Sequence, residues 1–173
     1  MKTIKEIFRS PVVNINGNTI HREAVRAIII NNGKLLMIRS AVNKDYKFPG
    51  GGVEKHETNE DTLTREVMEE CGATVTRIIS AYGKVIEYGI SPDPDYETFK
   101  MTSYYYLCEV NPTLAAQQLE KEEIDLEFEP TWTDVDTAIY SNKSVLQSAQ
   151  PDKPKWIERE TYVLEQIKSD LLL

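Results

Sequence analysis

The residues with the clearest chemistry are three glutamates. Glu66, Glu69 and Glu70 stand at i, i+3 and i+4, so on a helix they share one face. Three like charges on one surface repel, and a hard divalent cation with oxygen ligands is the usual way to offset that repulsion. The helix has its own signals. Thr58 followed by Asp61 is a hydroxyl N-cap with an acid three residues on, a weaker form of the Ser/Thr-x-x-Glu capping box. Gly72 is free to adopt the left-handed conformation that ends a helix. Leu63, Val67 and Cys71 follow at i, i+4 and i+8 on a different face and would dock the helix on a core. A solvated acidic helix explains the acids alone. It leaves Gly50, Gly51, Gly52, Glu57 and Arg65 without a reason. Three consecutive glycines let backbone approach a ligand closely and offer it N–H and carbonyl groups.

Gly51, Glu57 after five residues, Arg65-Glu66-Val67 after seven, then Glu69-Glu70 and Gly72-Ala73 form one spaced set over 23 residues. The set resembles the Nudix box, Gly-x5-Glu-x7-Arg-Glu-U-x-Glu-Glu-x-Gly-U, where U is a bulky aliphatic. Every invariant position matches; Ala73 is aliphatic but small. Glu54 also matches a frequent family position, whereas His56 departs from it, because many members carry glycine there. A non-glycine residue with positive φ is uncommon, so the loop is expected to be slightly reshaped, and His56 is not read as a metal ligand.

The resemblance implies an α/β (α+β) fold, a mixed sheet between helices, spanning 1–173 as one domain. It implies a hydrolase acting on a nucleoside diphosphate linked to another group X. Mg²⁺, with Mn²⁺ as the alternative, would be bound by Glu66, Glu69 and Glu70, with the Gly50 carbonyl as a further ligand and no organic cofactor. Glu57 and Arg65 would form an ion pair tying loop to helix. The base that takes a proton from water would be Glu66 or a glutamate in a loop a few residues before Trp132, with Glu127 as first candidate and Glu123 as second. Two other classes fit part of this. A nucleotide-binding sensor of the same fold would have lost catalysis, usually with a broken box; this box is intact. Isopentenyl-diphosphate isomerase shares the fold and works with a cysteine and a glutamate, but neither Cys71 nor Cys108 sits in a context resembling that enzyme's. Pro92 and Tyr88 miss the spacing of subfamily substrate markers, so nucleoside triphosphates and ADP-sugars both stay open.

Composition fits the same reading. Forty per cent of the 173 residues are hydrophobic, as in a globular protein. The net charge of −8 and the lack of a clustered basic stretch exclude a nucleic-acid backbone as the expected partner. The acidic balance does not argue against a small phosphate substrate that arrives with its own metal. Two distant cysteines without a C-x-x-C pattern are read as reduced, the N-terminus has no apolar core of a signal peptide, and no apolar run approaches a membrane span. A cytoplasmic protein acting on a nucleotide-type small molecule, with no nucleic acid and no membrane, is expected. Its oligomeric state, a homodimer among the options, stays open.

The elements that must position the acids follow from periodicity. Thr3–Phe8 and Val12–Ile15 alternate loosely as short strands, with a turn at 16–18. Ala24–Ile30 is a short β-branched run interrupted by Arg26, read either as a surface cation or as a phosphate or base contact. Lys34–Arg39 follows the Asn32-Gly33 turn as the second strand of a hairpin. Residues 40–47 are polar loop. Residues 73–88, read as one strand or as two with a break at Gly83, and the strand 99–110 pair as a long hairpin. The tyrosines 104–106 are read as sheet and core ahead of base stacking. Pro112–Glu129 is an acidic solvated stretch, Pro130–Thr133 a short strand, Val135–Tyr140 a short helix, 141–155 a polar loop, and 155–171 a final helix opened by Pro154.

Overall fold

The run AVRAIII is apolar in nearly every position, which a strand tolerates only when both its faces are covered. The computed structural model, which describes residues 1–111 and 113–171, covers both. Strand β1 is Thr3–Phe8, β2 Thr19–Asn31, β3 Lys34–Ser40, β4 Tyr46–Lys47; helix α1 is Asn59–Cys71; β5 Val75–Ile90, β6 Thr98–Val110; α2 Lys121–Asp125; β7 Phe128–Thr133; α3 Val135–Gln147 and α4 Ile157–Asp170. The strands lie in the order β1-β5-β6-β2-β3-β4, with β7 on the other edge of β3. β1 runs parallel to β5 and β2 parallel to β6, while β5/β6, β2/β3, β3/β4 and β3/β7 are antiparallel. The sheet is therefore mixed.

Alternation along β2 and β3 divides the core. Ile28, Leu35 and Met37 join Val163, Leu164 and Ile167 of α4 and Val135 and Ala138 of α3. Val25, Ala27, Ile29, Leu36 and Ile38 join Leu63, Val67 and Cys71 of α1 on the opposite face. Leu63, Val67 and Cys71 are fully buried; side chains of the Leu or Val kind contribute about 1.5–3 kcal/mol each when buried. The result is helices on both sides of a mixed sheet, as expected from the resemblance.

Several expectations are corrected. Val12–Ile15 forms turns, not a strand, and Ile15 and Val12 are exposed. β2 begins at Thr19, five residues before the apolar run, because its polar first half is satisfied by parallel pairing with β6 from Thr19↔Thr98 onward. Of the two readings of residues 73–88, by contrast, the single strand holds: β5 is continuous, and near Gly83 its pairing with β6 only shifts register. α3 runs on to Gln147 through residues read as polar loop. Its Asn142 is fully buried, accepting from the Tyr46 N–H at 2.7 Å and donating to the Tyr46 carbonyl at 2.9 Å, so a polar residue here docks the helix on β4. Pro112, which opens the acidic stretch, lies outside the described residues; the rest of that stretch is loop and the short α2. Tyr105 is core, while the Tyr104 hydroxyl donates to Glu23 and the Tyr106 hydroxyl accepts from Asn59.

Candidate metal and catalytic site

Helix α1 starts as its sequence dictates. The Thr58 hydroxyl accepts from the Asp61 N–H at 3.2 Å, the Asp61 carboxylate accepts from the Thr58 N–H at 3.0 Å, and Gly72 closes the helix at φ 64°. The apolar face on the sheet turns Glu66 and Glu70 toward the glycine segment and Arg65 and Glu69 along the rim. That segment lies on the free edge of β2. Val25 N–H donates to the Gly51 carbonyl at 3.0 Å, Ala27 N–H to Pro49 at 2.8 Å, and Val53 N–H to Glu23 at 3.0 Å.

Arg65 gathers three of the expected acids. Its Nε and Nη2 bind the two Glu57 oxygens at 2.7 and 2.9 Å, and its Nη1 binds Glu66 Oε1 and Glu69 Oε2, each at 2.9 Å. The Arg65 guanidinium, then the Thr62 hydroxyl, hold the Glu57 carboxyl down at about 2. The folded value lies below the ordinary 4.5, so this ion pair adds stability above pH 4.5 that is lost as pH falls from about 4.5 toward about 2. In thermal melts across that window, wild type should lose Tm more steeply than Glu57→Gln; parallel curves would show that the pair carries no pH-linked stability.

Glu70 is buried at 1% exposure. Its Oε2 accepts from the Gly50 N–H at 2.7 Å and its Oε1 from Lys47 Nζ at 2.5 Å. Burial first, then the Glu70 charge, raises the Glu66 carboxyl above its ordinary value, with Arg65 opposing. Glu123, the second loop candidate, lies beside Glu70. Burial pushes its carboxyl up to about 7, the Glu120 N–H working against the shift and the Glu70 carboxylate adding to it. Glu127, the first loop candidate, is not brought to these acids. It occupies a turn at φ 50° with an exposed side chain that has no hydrogen bond or ion pair among the described residues. The sequence signal for α2 was there in the Glu120–Glu123 spacing, an acid three residues past a helix start, which turns Glu123 inward.

Two assignments change partner. The Gly50 carbonyl accepts from Arg26 Nη1, so a guanidinium occupies the approach expected for a metal. Arg26 is neither a surface cation nor free for a phosphate: its side chain is 11% exposed and its Nε lies 4.0 Å from Glu160. The Gly50 N–H, not its carbonyl, faces the acids. Among the described residues no three His, Cys, Asp or Glu side chains converge on one point, because the acids are turned onto Arg65 and Lys47. Two surface pockets lie away from these acids, one lined by Ile29, Thr76, Glu109 and Trp132, the other by Asn43, Tyr140 and Ser144.

The donor set nevertheless suits a hard divalent cation. It is all oxygen, it holds more carboxylates than cations, and Glu66 is raised by burial beside another acid, a cost that a bound cation relieves. The thiols offer nothing comparable: burial raises Cys71 well above its ordinary value and Cys108 to about 12, so neither is a thiolate at neutral pH.

The glycines have separable roles. At Gly50, φ is 136° and a methyl would collide with the Val25 carbonyl, whereas at Gly51 its nearest neighbours would be the atoms of the Glu66 carboxylate. Gly51→Ala should therefore displace Glu66, keep Tm near wild type and lower kcat by about tenfold. Gly50→Ala should lower Tm outright. Circular-dichroism melts with steady-state kinetics check both; equal Tm losses in the two variants would contradict the distinction.

Fold and site together define a mixed-sheet domain with an acidic, capped helix laid against a glycine segment. The NUDIX domain family model matches residues 20–159, and the chain belongs to the Nudix domain family. It is 40% identical over 57 residues, 32% of this chain and 37% of the other, to a MutT-like protein from Streptomyces ambofaciens. The match thus spans little more than a third of that relative. Among solved structures, a NUDIX hydrolase from Nitrosomonas europaea superposes with TM-score 0.57 at 16% identity, covering 88% of this chain and 89% of that one. A structure from a study of MutT from the fish pathogen Aliivibrio salmonicida and from Vibrio cholerae superposes with TM-score 0.53 at 19% identity, covering 87% and 98%. At these identities the two structures bear on fold alone. No helix among the described residues is long and apolar enough to cross a membrane.

Proposed function

We propose that this protein is a hydrolase that uses a divalent cation, Mg²⁺ or Mn²⁺, to cleave a nucleoside diphosphate linked to another group, water attacking one phosphorus. The observation that carries the reading is the set of Glu66, Glu69 and Glu70 on one face of α1 beside Gly50–Gly52, with Arg65 holding two of the acids. Glu66, Glu69 and Glu70 would hold the cation. When bound, it would neutralise diphosphate oxygens and lower the pKa of a water. Arg65 fixes Glu66 and Glu69 relative to the loop through Glu57. The Gly50 N–H holds one Glu70 oxygen. Glu123, adjacent to Glu70, joins Glu66 as a candidate for the base, and Glu127, exposed in its turn away from these acids, is set aside. The buried thiols weigh against an isomerase, and the intact box against a sensor that lost catalysis.

A panel of nucleoside triphosphates and diphosphate sugars with Mg²⁺, turned over once in ¹⁸O-labelled water, tests this. A triphosphate should give nucleoside monophosphate and pyrophosphate; a diphosphate sugar should give nucleoside monophosphate and sugar phosphate. Label should be on one phosphorus product. Orthophosphate as the first product, label on carbon, or no turnover of any panel member would overturn the proposal.

A further inference from the structure

We propose that Lys47 is a built-in competitor for divalent metal at Glu70, and that the faces of Phe128 and Trp156 receive its ammonium when metal displaces it. The inference rests on the metal-dependent reading above and concerns how the same acids are held before metal arrives.

Glu66 Oε1 and Glu69 Oε2 are held by Arg65, which leaves Glu66 Oε2 and Glu69 Oε1 without a hydrogen-bond partner among the described residues. Glu70 differs, since both of its oxygens are engaged. Its contact to the Gly50 N–H belongs to a backbone segment pinned along β2 and cannot swing away. Its contact to Lys47 is on a flexible four-carbon stem and can. Lys47 is therefore the group that must leave before Glu70 can join Glu66 and Glu69 around a cation.

The ammonium already has a second place to go. Lys47 Nζ lies 4.8 Å from the centroid of the Phe128 ring and 6.0 Å from that of Trp156, both within cation–π reach. The two rings meet edge to face at 6.3 Å, and Trp156 is anchored by its indole N–H to Asp45 at 2.6 Å, so they form a fixed wall. A small motion of the stem exchanges a carboxylate for two aromatic faces without exposing the charge. Lys47 has the geometry of a stand-in cation: it compensates Glu70 in the metal-free protein, its charge also reaches Asp45 and Glu123, and it opposes the arrival of a second cation.

Metal binding then includes the cost of breaking the Lys47–Glu70 pair and of bringing a dication near an ammonium. Removing the charge while keeping the apolar stem should tighten binding. Lys47→Met should bind Mn²⁺ about tenfold more tightly than wild type, read by the loss of free-Mn²⁺ signal in electron paramagnetic resonance. Lys47→Arg, which keeps the charge, should bind no more tightly than wild type. In a Trp132→Phe background, where Trp156 is the remaining tryptophan, Mg²⁺ should change Trp156 fluorescence with Lys47 present and not with methionine in its place. If Lys47→Met does not fold, Lys47→Gln makes the same comparison. Unchanged or weaker Mn²⁺ binding by the neutral variant overturns the inference and leaves the metal site standing. Failure of wild type to bind Mn²⁺ removes both. Tightened binding in a protein that hydrolyses no nucleotide supports the inference and leaves only the proposed activity to fall.

Discussion

Glu69→Gln and Glu70→Gln should each lower kcat by about two to three orders of magnitude while the protein stays folded. Each substitution keeps the shape of the side chain and removes its charge, so a cation loses an anionic ligand and substrate charge loses its compensation. The fold should survive for different reasons at the two positions. Glu69 lies on the rim, and Arg65 keeps Glu57 and Glu66 when it is neutralised. Glu70 is buried, but glutamine retains an oxygen for the Gly50 N–H, and the Lys47 ammonium keeps its aromatic neighbours. Steady-state kinetics at saturating Mg²⁺, with thermal melts of the same samples, separate chemistry from folding. Activity within a few-fold of wild type in both variants would remove the acids from the site. The same melts report metal binding: Mg²⁺ at about one hundred times its Kd should stabilise wild type by about 2.7 kcal/mol and the variants by less.

Arg159→Met should have the largest effect on stability, about 3–5 kcal/mol, with no charge removed from the acidic face of α1. Arg159 is 5% exposed on its side chain and binds two buried acids, Glu87 at 9% and Glu160 at 0%. Methionine fills the volume and leaves both carboxylates short of a cation. Arg9 still reaches Glu87 from the surface, but among the described residues Glu160 keeps only the Tyr105 hydroxyl, the Phe48 N–H and the more distant Arg26. Urea unfolding monitored by circular dichroism should show a lower midpoint at unchanged slope. A midpoint equal to wild type would mean that the cluster contributes no net stability.

The chain's local chemistry was legible without coordinates. Thr58 and Gly72 bound α1 because a cap and a left-handed glycine need only their near neighbours. The Asn32-Gly33 turn fixed the β2/β3 hairpin in the same way, both residues adopting positive φ. The spacing from Gly51 to Ala73 was enough to identify the family. Burial and partners were a different matter, because they depend on strands and helices distant in sequence. Arg26 and Arg39 look alike as cations in strands. One faces α4 and is enclosed with Glu160 and the Gly50 carbonyl; the other reaches the rim, 3.8 Å from Glu129. Nothing local to Arg159 and Glu160 marks them as interior, since the pair they make with each other would serve equally on a surface; Glu87, Tyr105 and Phe48, which enclose them, come from three other parts of the chain. The choice between Glu123 and Glu127 turned on the same point. They lie four positions apart, and the turn of α2, seated through Gln117 against the carbonyls of Glu70 and Phe128, carries one toward the acids and leaves the other in solvent. Sequence determined which residues could hold a cation, because spacing on one helix is a local property. Tertiary structure decided which cations hold those residues now, because an ion pair is made by whatever the fold brings within reach.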